Sequence, residues 1–205
     1  MQSLQLVVRP GTWRLFSQRR EDPRFDDVKA KVFERDQSTC HFCGFQASLH
    51  QEVINLDGDY RNNKLDNLAT ACCFCTQCLF LEVVGNGYGG GRLVYMPEIT
   101  QAQLNSFCHV IFCAMTNATD YRDSAQSMYR SLKFRSRPVE EKFGDGAAKP
   151  GTFCQMLLEQ DEDIEKLSAD ILKNLRLLPA YPKFKTELED WAKSAAEELE
   201  QSERG

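Results

Sequence analysis

Cys40-His41-Phe42-Cys43 and Cys72-Cys73-Phe74-Cys75, separated by 28 residues, decide how this chain is read. Each Cys-x-x-Cys knuckle turns two sulfurs toward one point, and four thiolates complete a tetrahedron around a zinc ion. A shell of four protein ligands leaves no position for water, so the predicted role is structural. Such a site contributes roughly 10–16 kcal/mol of binding free energy, which becomes folding free energy. Disulfides or buried free thiols are the alternative readings of the same residues. Cys73 and Cys78 are additional; buried thiols are expected there, with Cys78 also eligible as a ligand.

The segment between the knuckles carries more information. It reads Leu49-His50-Gln51-Glu52-Val53-Ile54-Asn55-Leu56-Asp57-Gly58-Asp59, then Asn62-Asn63-Lys64-Leu65-Asp66-Asn67-Leu68. This stretch resembles the HNH endonuclease family, in which two strands and a helix grip a catalytic metal and a four-cysteine zinc site often clamps the same ββα unit. Asp57-Gly58 matches the family's turn, Asp66-Asn67-Leu68 its Asn-Leu element, and Cys72 with Cys75 its closing knuckle.

The residues that carry the family's chemistry match poorly. The family's Asp-His or His-His pair falls on His50-Gln51, which puts Gln51 at the general base. An amide does not take a proton from water near pH 7. The histidine that follows the last cysteine in the family is Thr76 here. His50 and Asn67 are left as vestigial HNH positions, and no catalytic residue is assigned. The resemblance therefore implies the fold without water activation by a metal. A one-residue slip in this alignment would instead make His50 the base of an active metal-dependent nuclease.

The composition is that of a globular chain: 205 residues, 42% hydrophobic, 27% charged. There is no apolar run of membrane-spanning length and no secretory leader pattern, so a cytosolic protein without direct membrane insertion is expected. Nine cysteines agree with that if four hold zinc and the rest stay reduced. The net charge of −5 argues against general nucleic-acid binding, which leans on cationic surface. Residues 1–35 carry eight basic and five acidic side chains, whereas 155–205 carry seven basic and thirteen acidic ones. The second region suits a basic or apolar protein partner better than phosphate.

The remaining elements follow from pattern. Leu4 to Val8 reads as a short strand ended by Pro10-Gly11. Phe25, Val28, Val32 and Phe33 recur at helical spacing after Pro23. His50–Leu56 reads as a strand, and a helix is expected from the second knuckle to Val84. Gly85 to Gly91 reads as a turn into a strand over 92–96, lacking the residues of a phosphate-binding loop. Thr100 with Gln103 has capping-box form, and Leu104, Phe107, Cys108, Ile111, Phe112 and Met115 share one helix face. His109 and Cys113 are also four apart on that helix, but two ligands make no metal site. Asp120 is expected to cap a helix to about Phe134, followed by the basic group Arg130, Lys133, Arg135 and Arg137. A short helix is read from Thr152. A longer one runs from Asp161 through Ile164, Leu167, Ile171, Leu175 and Leu178 to Pro179. The last carries Phe184, Leu188, Trp191 and Ala195 on one face.

The expected fold is α+β: a zinc-clamped, HNH-like ββα module over 1–97, followed by a mainly helical half over 98–205 packed against it. As a whole the chain resembles a subunit family of the bacterial Dot/Icm type IVB secretion system. That resemblance implies a cytoplasmic, non-enzymatic component of the type IV coupling complex. It would bind the coupling ATPase DotL and the other coupling-complex subunits, at the inner face of the inner membrane, in support of effector export. A non-cutting zinc-ribbon module that binds nucleic acid is a further alternative.

Overall fold

The structure is a computed structural model that describes residues 3–117, 120–159 and 171–202, with the side chains of 198–202 left out. The architecture is α+β. Helices α1 (Thr12–Arg20) and α2 (Asp26–Arg35) precede the first knuckle. Strands β1 (Gln51–Asn55) and β2 (Leu68–Cys72) pair antiparallel, Gln51 facing Cys72 and Asn55 facing Leu68. The short helix α3 (Cys73–Thr76) completes the ββα order. Strand β3 (Gly91–Tyr95) leads to α4 (Gln101–Thr116), α5 (Arg122–Phe134), α6 (Arg137–Phe143) and α7 (Pro150–Leu158). Strand β4 (Leu175–Pro179) and helix α8 (Lys185–Ser202) end the described chain.

Several local expectations hold for identifiable reasons. Asp22 accepts from the Arg24 amide, and Pro23 opens a 3-10 turn that continues into α2. Val32 faces inward there against Phe25, Val53 and Leu68. The Thr100 side chain accepts from the Gln103 amide while Gln103 accepts from the Thr100 amide, a reciprocal capping box that starts α4. Leu104, Cys108, Ile111, Phe112 and Met115 are buried on α4.

Other expectations are corrected. Leu4–Val8 forms no strand; it is an irregular segment held by Val7 N–H to Cys78 O and Leu81 N–H to Val7 O. Its neighbours already use their backbone groups in turns, so no ladder extends. The helix expected through Val84 stops at Thr76 and continues as two 3-10 turns, broken at Phe80 with φ −138° and ψ 54°. That break drops Phe80 and Leu81 into the core, both 0% exposed. Phe107 is not a core residue but 40% exposed, and Asn105 and His109 take buried positions on the same helix. Asp120 is not the cap of α5, whose flanking residue is Tyr121. The basic side chains before Pro138 have separate contacts. Arg135 pairs with Glu98, while Lys133 and Arg137 lie over Tyr129 and Phe134.

The largest correction concerns the helix expected over 161–178. Residues 160–170 lie outside the described residues. Leu175–Pro179 is a strand that pairs antiparallel with β3, Gly91 opposite Pro179 and Tyr95 opposite Leu175. Leu175, Leu177 and Leu178 are buried together, so the tertiary environment outweighs helical spacing. Gly91 fits this pairing because a Cβ there would lie 2.6 Å from Leu177 Cδ1 and 2.8 Å from Leu178 O. One core cluster runs through Phe16, Phe74, Phe80, Leu93, Phe112, Leu177 and Phe184, so strands and helices share an interior.

Candidate metal centre

The first knuckle is built on a tight reversal. The Cys40 amide donates to Phe45 O at 2.8 Å and the Gly44 amide to Cys40 O at 3.0 Å. Gly44 sits at φ +75°, a left-handed conformation that side chains rarely adopt. The second knuckle runs from the end of β2 into the first turn of α3. The β1–β2 pairing and the His41 N–H to Thr70 O bond (2.8 Å) bring the two knuckles together.

The result is a tetrad. The sulfurs of Cys40, Cys43, Cys72 and Cys75 all lie within 4.8 Å of one another. Cys43 Sγ stands 3.6 Å from Cys72 Sγ, far beyond a disulfide bond, and all nine cysteines are free thiols. A tetrahedral zinc site with metal–sulfur bonds near 2.3 Å requires sulfur–sulfur edges of about 3.8 Å. The four sulfurs fit a metal ion of that kind. Cys40, Cys72 and Cys75 are buried and Cys43 is partly so. Burial pushes the thiols of Cys72 and Cys75 well above their ordinary range, so a cation is the natural partner for their charged forms.

Two side chains of α4 reach this centre; sequence reading weighed His109 only beside Cys113 and passed over Asn105. Asn105 Nδ2 donates to Cys75 Sγ at 3.2 Å and to Phe74 O at 3.1 Å. His109 Nε2 lies 3.3 Å from Cys72 Sγ. The His109 ring is stacked between Phe45 (3.7 Å) and Phe74 (4.2 Å), and burial lowers its pKa to about 3, so the ring is neutral. The available signal was two polar residues four apart on an otherwise apolar face. Cys113, which shares that spacing with His109, is exposed and bonded by Asn117 Nδ2. Cys73 and Cys78 are buried thiols, and the Cys78 S–H donates to Phe74 O.

The HNH positions lead elsewhere. His50, at φ +61°, places Nε2 2.7 Å from Asp190 Oδ2 on α8. Next to it, Trp191 Nε1 donates to Leu49 O at 2.9 Å. Asn67 spends its amide on the loop: Nδ2 donates to Asp57 Oδ1 and to Asn62 O, and Oδ1 accepts from the Asp57 amide. Gln51 Nε2 donates to Ser38 O and Phe45 O, whereas Thr76 is fully buried with its hydroxyl unpartnered. These side chains do not converge on one point. Among the described residues, the cysteine tetrad is the group of His, Cys, Asp and Glu whose ligand atoms come close enough to hold a metal ion.

Fold and site together define an α+β protein with four cysteine sulfurs gathered closely enough to hold a metal ion. The chain belongs to the DotN (IcmJ) family, subunits of the Dot/Icm type IV secretion apparatus. It is 56% identical over 197 residues to the type 4 apparatus protein DotN of Legionella pneumophila subsp. pneumophila, covering 96% of this chain and 92% of that protein. No protein-family model matches the chain. No helix among the described residues is long and apolar enough to cross a membrane.

Proposed function

We propose that this chain is a non-enzymatic structural subunit of the type IV coupling complex, clamped by a structural zinc ion and attached to the coupling ATPase DotL. The observation that carries the reading is the 56% identity to DotN over nearly the whole chain. In this reading Cys40, Cys43, Cys72 and Cys75 hold the zinc, and residues 1–97 form the zinc module on which 98–205 packs. The protein works in the cytoplasm, held at the inner face of the inner membrane through its partners, and supports effector export. Its other contacts are further coupling-complex subunits rather than nucleic acid.

The absence of catalysis is supported by the fate of the HNH positions. His50 bonds Asp190, and Asn67 closes the Asp57 loop rather than orienting a base. The test has two arms. Zinc-loaded protein incubated with supercoiled plasmid and Mg²⁺ or Mn²⁺ leaves it intact, and immobilised DotL cytoplasmic region retains the protein at stoichiometric amounts. Nicking that vanishes in His50→Ala would establish the nuclease reading instead. Failure of DotL to retain folded protein would remove the attachment.

A further inference from the structure

The cysteine centre is not finished by its own module. Four thiolates around a dication leave two surplus negative charges, and Cys72 and Cys75 sit where no water reaches them, both 0% exposed. Buried charge of that kind needs donors aimed at it. Among the described residues, the side-chain N–H groups that point at these two sulfurs come from α4, one helical turn apart.

We propose that Asn105 and His109 are positioning residues of the metal centre: their N–H groups stabilise Cys75 and Cys72 as thiolates, so metal affinity depends on how α4 is seated. This rests on reading the tetrad as a zinc site.

The orientation of each donor follows from its other contacts. Asn105 Oδ1 accepts from Gln101 Nε2 at 2.9 Å, which leaves Nδ2 as the end facing Cys75. The same Gln101 Nε2 donates to Leu177 O, and Gln101 Oε1 accepts from the Leu177 amide. A polar chain thus runs from β4 through Gln101 and Asn105 to the sulfur. His109 Nδ1 is buried without a partner, so the proton belongs on Nε2, where the Cys72 sulfur accepts it. The aromatic stack on both faces holds the plane of the ring, with Nε2 the nitrogen nearest the Cys72 sulfur. Outer partners of this sort raise metal affinity in general by aligning and charge-balancing the ligands. The competing account is that Asn105 only satisfies Phe74 O and that its contact with Cys75 is incidental.

The test uses full-length protein loaded with zinc or Co²⁺. Asn105→Leu and His109→Phe keep volume and, for the ring, the stack, while removing the N–H. Each is expected to weaken zinc affinity by about 10–100-fold in competition with a chromogenic chelator. The sulfur-to-cobalt charge-transfer band should also move to lower energy, a change that a purely structural defect would not produce. A long-range ¹H–¹⁵N spectrum of the zinc-loaded parent should place the His109 proton on Nε2, a reading that needs no variant. Parent-like affinity and an unmoved band in both variants, or a proton on Nδ1, would overturn the proposal while leaving the zinc reading intact. A folded parent that binds no zinc would overturn both.

Discussion

Gln101 and Leu177 exchange two hydrogen bonds, Nε2–H to Leu177 O at 2.9 Å and the Leu177 amide to Oε1 at 2.7 Å. One side-chain amide at the start of α4 thereby acts toward β4 as a neighbouring strand would, satisfying both backbone groups of a residue that is 0% exposed. Gln101→Leu strips both partners at once. Leaving buried backbone donors and acceptors unpaired costs about 1–3 kcal/mol each. A loss of about 2–6 kcal/mol is therefore expected by urea denaturation, whereas Gln103→Leu, on the exposed side of the capping box, should cost about 1 kcal/mol.

The metal should be integral to folding. Cys40→Ser or Cys72→Ser removes one of four ligands, and the remaining three hold zinc far more weakly. Because structural zinc binding energy is on the order of 10–16 kcal/mol, the variants should be insoluble or unfolded and free of metal by elemental analysis. Soluble, folded variants that still associate with their partners would contradict the structural role.

His50 tests the vestigial reading. Its contact with Asp190 is partly exposed, 31% and 43% for the two side chains, and such exposed polar contacts contribute roughly 0–1 kcal/mol. The backbone at φ +61° is strained for any residue with a Cβ. His50→Gly should relieve that strain and be at least as stable as His50→Ala. Both should keep their zinc and their partners, as read by metal analysis and co-purification.

Glu82 gives the pH dependence. Both of its carboxylate oxygens are buried without a partner, and burial raises its pKa to about 7. The folded state holds that proton more tightly than the unfolded chain does. The associated stability is therefore full below the ordinary carboxyl pKa and is lost as pH rises toward and past 7. Glu82→Gln should flatten stability between about pH 5 and 8 and raise it at pH 8 by on the order of 1–2 kcal/mol, allowing for partial solvent screening. Thermal melts across that range read the effect directly.

The legible parts were those whose signal is local. The two knuckles announce themselves by spacing, α2 by periodicity and a proline start, α4 by its capping box. Leu175, Leu177 and Leu178 satisfy helical and strand patterns alike, and only their pairing with β3 decides between them. Helix α1 is polar along much of its length and was invisible for that reason. Helix α6 was hidden by Pro138, which reads as a stop but is tolerated in a first turn. In the candidate metal centre the four cysteines were readable, whereas the approach of Asn105 and His109 to them was not. Their sulfur partners lie 30 and 37 residues away, and no short-range pattern encodes that approach.

The pairing of β3 with β4 also sets a schedule for synthesis. Tyr95 meets Leu175 and Gly91 meets Pro179, so β3 waits for a partner about 80 residues further along. Contacts so distant in the chain delay the transition state, because the loop must close before the pairing rewards it. On the ribosome, β3 emerges long before β4 and presents an apolar edge in the interval. A nascent chain arrested before Leu175 would thus be prone to aggregate, and a chaperone bound in that window would act on β3.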